Sequence, residues 1–125
     1  MLELDIVGPA PLEAKEIERL AALAATSAGV QEGHLAVEFV DAGRIRELNR
    51  DHRGKDAPTD VLSFPIDGAE PGAAGPRELG DVVICPEHTI SLREAVVHGV
   101  LHLVGMDHED DDGEMLALQR ELLSW

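Results

Sequence analysis

His98 and His102 stand four residues apart, and His108 follows six residues later. On an α-helix the first spacing puts both imidazoles on one face, a turn apart, so that both reach one ion. Gly105 lets the chain turn back after the helix, and His108 then approaches the same ion from beyond the helix end. Three neutral imidazoles with an open fourth position describe a catalytic zinc centre rather than a closed structural one. A lone histidine on an apolar helix is more often a satisfied core residue. Here two lie in the apolar stretch 91–104, where burial without a partner would cost on the order of 1 to 3 kcal/mol per unsatisfied group. Metal ligation by the three together is the reading that removes that cost.

Gly99 follows His98, where a zinc protease of the H-E-x-x-H type carries its general-base glutamate. The protease mechanism therefore lacks its base. A zinc ion still acidifies its bound water to near neutrality, which makes a nucleophile without a carboxylate. Negative charge developing on the substrate then needs a cation from elsewhere in the chain. Arg44, Arg46, Arg50, Arg53 and Lys55 place five of the ten basic residues within twelve positions, opposed there only by Glu47 and Asp51. Guanidinium groups grip phosphate bidentately, so this cluster points the chemistry toward a phosphate ester. The formal charge of −15 for the whole chain argues against nonspecific attraction to nucleic acid or to an anionic membrane.

Other polar residues carry weaker signals. The acidic run Asp107, Glu109, Asp110, Asp111, Asp112 and Glu114 lacks the alternating spacing and central glycine of a calcium loop. It reads as solvated, with Asp111 or Asp112 capping a final helix. Asp107 is set apart by its neighbour His108, which it could orient from outside the coordination sphere. His34, His52 and His88 have no ligand spacing and read as surface or strand-end residues. Cys85 is the only cysteine, so no internal disulfide forms, and its apolar run reads as that of a buried thiol.

The elements that must position these residues follow from periodicity. Residues 2–7 alternate as a strand with one buried face. After Gly8-Pro9, Leu12, Ile17, Leu20, Leu23 and Ala24 recur at helical spacing, with an end near Gly29. Residues 34–40 read as a second strand closed by Asp41-Ala42-Gly43, and a short helix follows with Ile45 and Leu48 inward. Residues 61–64 form a third strand stopped by Pro65, 67–76 a loop, and 79–85 a fourth strand ended by Pro86. Residues 91–104 make the histidine-bearing helix, with Ser91 as N-cap and Glu94 in the capping-box position. Met115, Leu116, Leu118 and Leu122 mark a last amphipathic helix running to Leu123. A chain of 125 residues fits one domain, 1–125, and with two Phe, one Trp and no Tyr its core must be aliphatic. Neither a secretory signal nor a membrane-spanning run is legible, which predicts a cytoplasmic protein.

Three ordered segments, His98-Gly-Val-Leu-His-Leu-Val-Gly-Met-Asp-His108, Pro58-Thr-Asp-Val-Leu-Ser-Phe-Pro65 and Leu79-Gly-Asp-Val-Val-Ile-Cys-Pro86, strongly resemble the YbeY family of bacterial endoribonucleases. The likeness also takes in Leu48-Asn49 and Arg53-Gly-Lys55 and is specific from about residue 48 onward. It implies one α+β domain, a four-stranded mixed sheet flanked by helices, with the metal site on the penultimate helix and the turn after it. It also implies one Zn²⁺ on His98, His102 and His108, and a single-strand-specific activity in maturing the 3′ end of 16S ribosomal RNA and in ribosome quality control. The small ribosomal subunit and its proteins would be the partners. The family's catalytic arginine matches Arg53, the residue the charge argument also selects, with Arg50 and Lys55 holding flanking phosphates.

The chain departs from the family pattern in two places. Only eleven residues separate Pro86 from His98, where the family carries a longer connection, and His52 stands where an aromatic residue is common. Two other functions stay open at this point. One is a metallohydrolase of another substrate, such as a peptide, which the missing glutamate disfavours. The other is a ribosome-assembly protein with structural zinc that binds RNA without cutting it.

Overall fold

The computed structural model describes residues 2–27, 29–30, 32–66, 78–104 and 114–124. Four strands, β1 (Leu2–Val7), β2 (Gly33–Phe39), β3 (Val61–Pro65) and β4 (Glu78–Ile84), form one sheet in the order β1-β2-β4-β3. The β1–β2 and β2–β4 pairs are parallel and the β3–β4 pair is antiparallel. The helices are α1 (Ala14–Ser27), α2 (Ala42–Arg53), α3 (Leu92–Leu103) and α4 (Glu114–Leu123). The expected α+β architecture with a four-stranded mixed sheet is therefore what the chain adopts.

Helices cover the two faces of the sheet unequally. On one face Leu35, Val37, Val82 and Ile84 pack with Ile17, Leu20 and Ala24 of α1, with Val96, Val100 and Leu103 of α3, and with Met115 and Leu122 of α4. On the other, among the described residues, Ile45 of α2 packs on Leu62, Val83 and Cys85 at the β3–β4 side. All these core residues are aliphatic or sulfur-bearing, as an aromatic-poor sequence requires. Cys85 is a buried free thiol, as expected.

Helix α2 follows β2 as expected and runs from Ala42 to Arg53. Asp41 does not merely close β2: its side-chain oxygen accepts the Arg44 amide at 2.8 Å and so caps α2. Gly54, at φ 72°, ends the helix with its amide on the Arg50 carbonyl. Helix α3 has the predicted N-cap, Ser91 accepting from the Glu94 amide at 3.2 Å. The short connection before it holds one 3₁₀ turn, Pro86–His88, and leaves Ile90 fully exposed.

Two expectations about α4 need correction. Leu116 is exposed, and the buried positions besides Met115 and Leu122 include Gln119, because the helix turns the 115, 119, 122 stripe toward α3. His34 is likewise more than a strand-end residue, since it bridges Asp5 at 2.7 Å and Glu78 at 2.6 Å across β1, β2 and β4. The expected loop 67–76, the helix-ending Gly105 and the Asp111 or Asp112 cap lie outside the described residues. Among the described residues no helix is long and apolar enough to cross a membrane.

Candidate metal centre and substrate cleft

The predicted helical spacing brings two of the histidines together. His98 Nε2 and His102 Nε2 lie 3.1 Å apart, with ring centroids 4.7 Å apart and planes at 73°. Two nitrogen ligands on a tetrahedral zinc at the usual bond length are roughly 3.3 Å apart, so this pair is already set close to a shared ion. Both side chains are half-buried, among the apolar residues that make up most of α3. His108 and Asp107 lie outside the described residues. Among the described residues no group of three or more potential ligands converges. Helix α3 thus supplies two donors that fit zinc in type and spacing.

His98 is also tied down on its far side. Its Nδ1 lies 2.8 Å from Gln119 Oε1, and Gln119 Nε2 donates to Glu94 Oε1 at 3.0 Å. Neither Gln119 nor Glu94 was singled out for the site from sequence. A polar residue interrupting the apolar stripe of the last helix was the signal that could have marked Gln119.

A cleft of ≈ 680 Å³ runs over the edge strand β3 and joins elements from both faces of the sheet. His98 and His102 line it from α3, His52 and Arg53 from the end of α2, and the chain from Thr59 to Pro65 between them. Arg53 arrives there because Gly54 turns the chain at the last residue of α2. Asn49, 4% exposed, then holds the returning segment by donating from Nδ2 to the Ala57 carbonyl at 2.9 Å. His52 packs edge-on against Phe64 with ring centroids 4.9 Å apart.

Most of the basic cluster is already spoken for. Arg46 pairs with Asp56 at 2.8 Å, Arg44 with Glu47 at 3.3 Å and Arg50 with Asp51 at 3.1 Å. The Arg46 guanidinium holds the Asp56 carboxyl below its ordinary pKa, chiefly by hydrogen bonding. Of the predicted phosphate ligands only Arg53 lines the cleft, whereas Arg50 and Lys55 are exposed residues outside its lining. Among the described residues the Arg53 side chain makes neither an ion pair nor a hydrogen bond, and so it is available to an anion.

Gly99 has a structural reason as well as a chemical one. A Cβ there would run into Val82 Cγ1 and come within 3.1 Å of Val61 Cγ2. The glutamate of a zinc protease would therefore have to push aside the Val82 and Val61 side chains on which α3 rests.

Comparison with known proteins agrees with these findings. The family model described as Endoribonuclease YbeY matches residues 11–125. Endoribonuclease YbeY of Bacillus cytotoxicus is 42% identical over 128 residues, which cover 86% of this chain and 82% of the relative. That of Macrococcus caseolyticus is 37% identical over 146 residues, 99% of this chain and 95% of the relative. An alignment of that length against 125 residues leaves about twenty positions facing gaps here, in keeping with a chain shorter than its relatives. A Thermotoga maritima protein known from its solution structure superposes with a TM-score of 0.56 at 28% identity, covering 97% of this chain and 87% of that one. An α+β fold with this sheet and a family match over nearly its whole length lead to one conclusion: the chain belongs to the YbeY family of endoribonucleases.

Proposed function

We propose that this protein is a zinc-dependent, single-strand-specific endoribonuclease that matures the 3′ end of 16S ribosomal RNA and serves ribosome quality control in the cytoplasm. One observation carries the reading: two histidine nitrogens at metal-ligand spacing and an unpaired arginine line the same cleft. His98 and His102 would hold the ion, with His108 as third ligand. A bound zinc ion supplies an acidified water and a Lewis acid. Arg53 binds the scissile phosphate and neutralises charge on its nonbridging oxygens as the phosphodiester is cut. The open cleft over β3 admits a single strand, whose bases can splay along Thr59–Pro65, more readily than a stacked duplex.

The net charge of −15 repels RNA at long range, so one or two local cations give weak affinity on their own. Delivery by the small ribosomal subunit or its proteins resolves this. The test is cleavage of single-stranded and duplex RNA by zinc-loaded and by chelator-stripped protein. Metal-dependent cutting of the single strand alone is the expected result. RNA binding without turnover by the zinc-loaded protein would instead favour a ribosome-assembly role with structural zinc. Cleavage of peptides is disfavoured by the packing that excludes a glutamate at position 99.

A further inference from the structure

We infer that Glu94 and Gln119 form a positioning relay that holds His98 in the tautomer with its proton on Nδ1 and its lone pair on Nε2. A carboxylate only accepts, so the 3.0 Å contact with Glu94 Oε1 orients the Gln119 amide with its nitrogen toward Glu94. Its oxygen must then face His98, and an amide oxygen also only accepts. The 2.8 Å contact therefore requires a proton on His98 Nδ1. A neutral imidazole has one N–H, which leaves Nε2 as the acceptor and ligand nitrogen. That is the nitrogen turned to His102.

Placement reinforces the chemistry. Glu94 sits one helical turn before His98 on α3, and Gln119 reaches in from α4 with 5% exposure, where water cannot substitute for it. The relay leaves α3, crosses to α4 and returns, so α4 acts on the site through Gln119. Neither residue touches substrate. With its proton on Nδ1, His98 turns a lone pair on Nε2 toward His102 and is ready to ligate without exchanging tautomers. The inference rests on the reading of His98 as a metal ligand, and losing such a partner lowers metal affinity by about 10- to 100-fold.

The experiment combines ring ¹⁵N NMR of the full-length, metal-free protein with zinc competition titrations, on variants first shown by circular dichroism to be folded. Wild type is expected to show His98 as the Nδ1–H tautomer. Glu94→Gln lets the Gln119 amide turn either way, so the His98 signals move to a mixture and zinc affinity falls by about 10- to 100-fold. The swap Glu94→Gln with Gln119→Glu puts a carboxylate at 119 that accepts from both His98 and the new amide. Both readouts should recover. A His98 tautomer unchanged in Glu94→Gln and in Gln119→Leu overturns the relay. So does a zinc affinity indifferent to the tautomer. If wild type shows the tautomer yet binds no zinc, the metal reading fails while the relay stands.

Discussion

Ser63 Oγ donates to the Gly99 carbonyl at 2.7 Å, and so the edge strand β3 is fastened to α3 at the residue next to His98. The same glycine brings α3 down onto Val82 and Val61. Cleft floor and histidine-bearing helix are thus one packed unit. Ser63→Ala should cost about 1 kcal/mol. Gly99→Ala forces a methyl group into Val82 and should cost about 1 to 3 kcal/mol. Urea unfolding midpoints check both, and an undisturbed Gly99→Ala protein would contradict the close approach.

Arg53→Ala should reduce single-strand RNA cleavage by roughly 10²- to 10³-fold, the usual effect of removing a group that stabilises developing negative charge. Zinc content should be unaltered. Arg50→Ala should have a far smaller effect, since that guanidinium is held by Asp51 outside the cleft lining. Equal losses in the two variants would return the role to the basic cluster as a whole.

Elemental analysis of protein purified without a histidine tag should find one zinc per chain in wild type and a loss of stoichiometric metal in His102→Ala. Retention of the metal by that variant would refute the ligand assignment. Because protons compete with the metal for the ligand nitrogens of the imidazoles, occupancy should also fall as pH is lowered.

His34 predicts a pH dependence of stability. Glu78 first and Asp5 second raise its pKa above the ordinary histidine range, by hydrogen bonds made to the charged ring. A third carboxylate, Glu3, is in register with it on β1. Since the folded pKa is the higher one, the stabilisation is fully present below the unfolded value of about 6.5 and is lost as pH rises through the folded pKa. Urea midpoints measured upward from about pH 6.5 should decline in wild type, and His34→Gln should lack that part of the decline.

Asn49→Ala should destabilise the fold by about 1 to 2 kcal/mol, by stranding the Ala57 carbonyl and freeing the turn after α2. Its Oδ1 is buried with no partner among the described residues, so the residue is kept for what its Nδ2 holds. Faster hydrogen exchange at Ala57, whose amide bonds the Lys55 carbonyl at 2.9 Å, would report the loosened turn.

Much of this was legible in the chain itself. A spacing of four residues puts His98 and His102 on one helical face whatever surrounds the helix, and their Nε2 atoms do converge. Alternation and capping residues located the strands and the start of α3 because those signals are local. The ordered motifs from about residue 48 onward pointed to the family that the comparisons then showed.

Periodicity says which face of an element is buried but never names its partner, and the remainder of the site was decided there. Only the antiparallel placing of β3 beside β4 lets Arg53 and the histidines line one cleft. Only side-chain geometry shows that Glu47, Asp56 and Asp51 hold Arg44, Arg46 and Arg50, while of the basic cluster Arg53 lines the cleft. Gly99, read in the chain as a missing base, proved also to be the point where α3 meets Val82. His98 itself was evident from its spacing, whereas the hand that orients it, Gln119 on a different helix, depended on a contact between residues 21 positions apart.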